Sequence, residues 1–353
     1  MNDIKITALQ FNYKKPLTED LVICAAGFEE RALKFTASLK KAKCKIGRWL
    51  LFRYESQKQD NEPNYKKLKH LIKSIQGEDP KELVVNSNSP IQTCFKIKSE
   101  IERIRTEFAY ESVLIDISGM THLWAIYSIH SCLSIGMKVS IVCTEAKDYF
   151  PKKVDIEKIE KELVKKRFDL ATDYLQSAGL KEVQILPEFG GNFRPGSQTC
   201  LVIFVGYEPH RIEGLINQYA PSTLIAIWGR SPHKNLQWRT EFSKSIHAEL
   251  LSRWHIREVE VSTLFFEEIL SKLEEEFNVI KYQYDVAIAP QCSKMQAFAS
   301  YLFWRSHPET QLIFTTPVRF HSSSYSKGVG KTYFFEVLNN LTSGKERIKN
   351  INK

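Results

Sequence analysis

The same strand–turn–helix opening is written twice in this chain. Leu21-Val22-Ile23-Cys24-Ala25-Ala26-Gly27-Phe28-Glu29-Glu30-Arg31 and Leu201-Val202-Ile203-Phe204-Val205-Gly206-Tyr207-Glu208-Pro209-His210-Arg211 each run from a Leu-Val-Ile strand, through glycine, an aromatic residue and glutamate, to an arginine at a helix start. The leucine-to-arginine spacing is equal in the two, and only the glycine slips by one position. A short apolar run closed by glycine and followed by apolar residues at helical spacing is the first turn of a Rossmann-like unit. The full G-x-G-x-x-G fingerprint is missing, so an ordinary dinucleotide site is not supported.

Beyond each opening the chain keeps to one plan. The first half continues with strands over 46–54, 83–85, 113–117 and 139–144, separated by helical patterns over 65–75, 91–108 and from Leu123 onward. In the second half, strands over 223–228, 259–261, 285–289 and 311–316 alternate with helices over 242–254 and 265–277 and from Met295 onward. Arg53 and Arg230 close matching strands. Alternation at this spacing predicts an α/β chain of two tandem Rossmann-like, doubly wound, mainly parallel-sheet lobes derived from one duplicated unit. The expected boundaries are lobe 1 over 1–152, a helical connection over 153–198, lobe 2 over 199–340 with a last strand at 331–337, and a mobile tail over 341–353.

The 353 residues, 43% of them hydrophobic, are enough for two cores. A net charge of +9 suits an anionic partner without selecting one. No apolar run is long enough to span a bilayer and the N-terminus lacks the apolar core of a signal peptide, so the expected location is cytoplasmic. The seven cysteines form no Cys-x-x-Cys pair and read as small core residues, which argues against a disulfide framework or a zinc site. Gly328-Val329-Gly330-Lys331-Thr332 is similar to the end of a phosphate-binding loop. However, Tyr325 stands where the first glycine belongs, and the next residues, Tyr333-Phe334-Phe335-Glu336-Val337, read as a strand rather than a helix. No cofactor is expected.

Chemistry concentrates at the turns. Asp116 lies near the end of the central strand of the first half, and Ser118-Gly119-Met120-Thr121 turns into the helix. In open α/β sheets ligands bind at the carboxyl ends of strands, and a helix N-terminus favours an anion. The competing reading is that Ser118 and Thr121 only cap the helix and that Asp116 bonds to neighbouring backbone. Glu29 with Arg31, and Glu208 with Arg211, are either caps and surface ion pairs or a ribose acceptor and a phosphate fork. His122 at the central turn reads as a ligand contact or a general base. Lys294 places a cation at a helix start, against the dipole. The six tryptophans form no stacking series of the kind that binds single strands.

At the two central turns the chain resembles the ligand-sensing Rossmann-like domains of prokaryotic antiviral systems, the CARF and SAVED class. Their central strand ends in a hydrophobic-Asp-hydrophobic-Thr/Ser-Gly-Gly-Thr-Lys turn. Ile115-Asp116-Ile117-Ser118-Gly119-Met120-Thr121 matches it, with Met120 at the second glycine and His122 at the lysine. In the second half only Ser293-Lys294-Met295 is similar, with no counterpart of Asp116. The resemblance implies that paired domains hold a cyclic or linear oligonucleotide messenger in a shared cleft, and that a tandem chain forms the pair alone, its lobes in a pseudo-two-fold arrangement. Its ligand-binding residues would be Gly27, Glu29, Arg31, Arg53, Asp116, Ser118 and Thr121 from one lobe and Gly206, Glu208, Arg211, Arg230, Ser293 and Lys294 from the other. No effector segment is evident, so a separate effector protein is expected and the chain senses or regulates. The alternatives are a nucleic-acid-binding subunit of a defence complex, an enzyme cleaving the messenger at Ser118, Thr121 and His122, and a structural partner with an empty cleft.

Overall fold

The computed structural model describes residues 4–10, 18–164 and 175–339. The chain divides into two units, one built from 1–149 and 326–353 and the other from 150–325. In the first unit the elements are β1 (Ile4–Gln10), β2 (Thr18–Ala25), α1 (Lys34–Lys41), β3 (Lys45–Tyr54), α2 (Lys58–Gln76), β4 (Lys81–Val85), α3 (Pro90–Phe108), β5 (Ser112–Asp116), α4 (His122–Ser134), β6 (Lys138–Thr144) and β7 (Asp148–Tyr149). In the second they are α5 (Ile156–Val164), β8 (Ser177–Ala178), β9 (Glu182–Gln184), β10 (Gln198–Val205), α6 (Pro209–Tyr219), β11 (Thr223–Arg230), α7 (Trp238–Leu251), β12 (Ile256–Ser262), α8 (Phe266–Ile280), β13 (Tyr284–Pro290), α9 (Lys294–Ser306), β14 (Gln311–Leu312), β15 (Phe314–Thr316) and β16 (Arg319–Phe320). The chain then returns to the first unit as β17 (Ser326–Lys327) and β18 (Thr332–Asn339).

Both main sheets are α/β and largely parallel, as the alternation predicts. The parallel part of the first runs β6-β5-β2-β3-β4, and the second runs β14-β13-β10-β11-β12, so the two units share one strand order. The strand order reverses between β2 and β5 in one unit and between β10 and β13 in the other. Ligands of doubly wound sheets sit at such switch points. Leu21, Val22 and Ile23 are fully buried and lie between Arg48, Trp49 and Leu50 of β3 and Val113, Leu114 and Ile115 of β5. Residues buried on both pleats suit a central parallel strand. Phe35 and Leu39 of α1 and Tyr65, Leu68 and Ile72 of α2 share a core with β2 and β3, which places these two helices side by side on one sheet face.

Three sequence expectations change. The last strand, expected in lobe 2, is β18 of the first unit. It lies antiparallel between β1 and β6, with Phe335 opposite Ala8 and Ile141. An eight-residue strand whose Phe334, Phe335 and Val337 are buried satisfies the otherwise open edge of β6. The first 20 residues, mixed in sequence and expected to be extended only at their end, contribute the antiparallel strand β1 as well as the start of β2. Within the connection, the charged helical pattern that the sequence carries over 154–178 is a helix over Ile156–Val164, and Ser177–Ala178 is a strand paired with Arg319–Phe320. Its stretch over 165–174, like the tail over 341–353, lies outside the described residues. Gly330 N–H donates to the Glu145 carbonyl at 2.8 Å and Thr332 opens β18, so the Gly-Lys-Thr run is a sheet entry. All seven cysteines are free thiols. Among the described residues, no helix is long and apolar enough to cross a membrane.

Candidate functional site

The switch point of the first unit is closed by two glycines. A Cβ on Gly27 would lie 2.7 Å from the Gly119 carbonyl oxygen, and one on Gly119 would lie 2.4 Å from that of Ala25. Backbones approach here to a distance only glycine permits. Two residues that the sequence reading missed hold the turns. Tyr54 Oη donates to the Gly119 carbonyl at 2.9 Å and accepts from Thr121 N–H at 3.1 Å. Asn64 Nδ2 donates to the carbonyls of Gly27 and Glu29 at 2.8 and 3.1 Å. Tyr54 does come directly after Arg53 at a strand end, a place where site residues are expected. Asn64 has no local signal.

Asp116 and Ser118 face inward. Asp116 Oδ1 accepts from Ser118 N–H at 3.0 Å, and Ser118 Oγ accepts from Thr144 N–H at 2.9 Å. Ser118 is fully buried, so its hydroxyl ties the central turn to β6 and presents no nucleophile. The duplicated Glu…Arg pairs are also turned inward. Arg31 Nη2 lies 2.7 Å from Glu29 Oε1, and Arg31 Nη1 donates to the Thr144 carbonyl at 3.2 Å and to Tyr149 Oη at 3.5 Å. Ser326 Oγ donates to Glu29 Oε1 at 2.5 Å. Burial alone would weaken the Arg31 proton, but the Glu29 carboxylate prevails and lifts the guanidinium above its ordinary value. Tyr149 is pushed up to about 12, chiefly by burial.

In the second unit, Glu208 Oε1 accepts from Ser177 Oγ at 3.2 Å. Arg211 donates to Ser177 Oγ at 3.3 Å and to Thr315 Oγ1 at 2.8 Å. Glu208 and Arg211 are themselves 3.9 Å apart. The carbonyl of buried Gly206 accepts from Ser243 Oγ at 2.6 Å. Arg239, also missed, donates to Tyr207 Oη at 2.9 Å and to the carbonyls of Pro151 and Phe150 at 2.7 and 2.8 Å. It fixes the start of this unit beside the Gly-aromatic-Glu turn.

The two central helices begin differently. Ser293 Oγ accepts from Gln296 N–H at 3.1 Å while Gln296 Oε1 accepts from Ser293 N–H at 2.9 Å, a complete capping box on α9. Thr121 occupies the same place before α4 and makes no side-chain cap. The start of α4 therefore lacks the side-chain acceptor that α9 has, at the position where a helix receives an anion. The candidate side chains at least partly exposed are Arg53, Thr121 and His122 in one unit and Arg230, Ser293 and Lys294 in the other. Arg53 is paired with Glu62 at 3.1 Å over the Tyr65 ring, and Arg230 with Glu268 at 2.8 Å. Among the described residues, no group of three His, Cys, Asp or Glu side chains is placed to hold a metal ion.

The strand order and the two glycine turns define a chain of two Rossmann-like α/β units. Comparison with known proteins agrees at the level of fold. A Type III CRISPR defence DNA nuclease activated by cyclic oligoadenylate is similar to this chain with a TM-score of 0.51 at 9% identity, over 88% of this chain and 68% of that one. A UDP-GlcNAc 2-epimerase from Neisseria meningitidis reaches 0.26 at 11% identity over 79% of each chain, too low to carry an argument. No family profile and no curated protein matches the sequence.

Proposed function

We propose that the chain is a defence-related sensor or regulatory subunit that binds a nucleotide-type ligand, cyclic or linear, at the carboxyl ends of its parallel strands. The observation that carries this reading is the fold likeness to the oligoadenylate-activated nuclease over 88% of the chain. It is consistent with the turn at Ile115–Thr121 and with the uncapped N-terminus of α4. In this reading Gly27, Glu29, Arg31, Asp116, Ser118, Gly206, Glu208 and Arg211 shape the edges from within. Thr121, His122 and Arg53 meet the ligand in the first unit, and Arg230, Ser293 and Lys294 in the second. The effector is a separate protein.

The test is mass spectrometry of small molecules released from the purified protein, with thermal melting in the presence of cyclic and linear oligonucleotides. A ligand at about 100 times its Kd adds on the order of 2.7 kcal/mol and raises Tm by several degrees. The expected shift is reduced in Arg53→Ala and His122→Ala. An absent shift across the panel, with nothing released, overturns the reading. Turnover of an added oligonucleotide, lost in His122→Ala, replaces it with the cleaving enzyme.

A further inference from the structure

The basic excess of this chain belongs to one unit. The first unit carries 29 Lys and Arg against 20 Asp and Glu, whereas the second carries 21 of each. Within the first unit the excess is concentrated further. Between Glu30 and Glu55 there are eight basic residues and no acidic one. Lys40, Lys41 and Lys43 are exposed at the end of α1, and Lys66 and Lys67 are exposed midway along α2. Since α1 and α2 pack side by side on one sheet face, their outer surfaces form one continuous face. None of these five lysines has an ion-pair partner among the described residues. Farther along α2, by contrast, Lys69 and Lys73 are neutralised by Asp79 and Glu82.

Lys40 and Lys41 complement the α1 dipole, which accounts for two of the five. Lys66 and Lys67 lie in a helix interior, where that explanation fails. No large hydrophobic side chain of α1 or α2 is exposed, so this face offers neither a wedge for a bilayer nor an apolar anchor for a protein partner. It also lacks an exposed aromatic platform on which single-stranded bases would stack. Lysine ammonium groups without forked or stacking partners recognise charge rather than base sequence. We infer that the α1–α2 face of the first unit binds the phosphate backbone of duplex nucleic acid without sequence preference. This surface is separate from the strand-end site.

Anisotropy of the full chain with a labelled duplex of about 20 base pairs tests it. Five phosphate contacts give a log–log salt slope of about −4.5, or roughly 500-fold weaker binding between about 50 and 200 mM salt. Lys40→Gln, Lys41→Gln, Lys66→Gln and Lys67→Gln combined should melt like the wild type, bind at least tenfold more weakly, and flatten the slope by about 3.6. Wild-type affinity in that variant overturns the inference. So does a lysine-dependent affinity for phosphatidylserine vesicles in the absence of duplex binding.

Discussion

Arg31 is 6% exposed, and Glu29, its partner, is 8% exposed. Removing one member of a buried pair leaves the other charged and unpaired, so Arg31→Ala should cost about 3–5 kcal/mol. Arg230→Ala, which removes an exposed pair with Glu268, should cost under about 1 kcal/mol. Urea denaturation separates the two, and equal costs would contradict the inward placement of Arg31. Glu19 gives a pH-dependent counterpart. Burial, reinforced by Asp20 and Glu336 and opposed by a hydrogen bond with Ser112, raises its carboxyl from 4.5 to about 7. The folded state therefore holds this proton more tightly than the unfolded chain. Its contribution is complete below pH 4.5 and is lost as pH rises towards 7. Glu19→Gln should accordingly be more stable than wild type at about pH 8, by on the order of 2 kcal/mol, with no such advantage at about pH 4. Denaturation curves at both pH values check the sign.

At the element scale, the caps of α4 and α9 differ in a measurable way. Ser293→Ala removes a capping box and should cost about 1 kcal/mol, while Thr121→Ala, which removes no cap bond, should cost less than about 0.5 kcal/mol. The central strands and their turns were legible, because burial on both faces of β2 and β10 leaves continuous apolar runs, each followed by a glycine. The partners of polar side chains were not. Ser118 reads as a cap by position, yet its hydroxyl serves Thr144, 26 residues away. Arg31 reads as a phosphate fork, yet it serves Glu29, Thr144 and Tyr149. Spacing along a strand or helix encodes which face a residue takes, but not which distant backbone group receives it.

For the molecule as a whole, order along the chain misleads at one place. β18 comes after the second unit in sequence and belongs to the first sheet, because the open edge of β6 and the strand β1 both pair with it. Such non-local antiparallel pairing has no signature in local pattern. A fragment of residues 150–325 should express as a folded monomer, since its sheet and core are contained within it. A fragment of residues 1–149 lacks β18, bares the edge of β6, and should aggregate. Circular dichroism and size-exclusion chromatography distinguish these outcomes, and a monomeric, cooperatively melting 1–149 would contradict them.

The return of β18 also sets a timetable for biosynthesis. A ribosome that has passed residue 325 has synthesised every strand of the second sheet, while the first, though begun earlier, still waits for residues 332–339. The later-encoded unit is thus the earlier to be completed. The nascent first unit, with an unfinished edge, spends the translation of roughly 180 residues as a client for whatever shields exposed strands during synthesis.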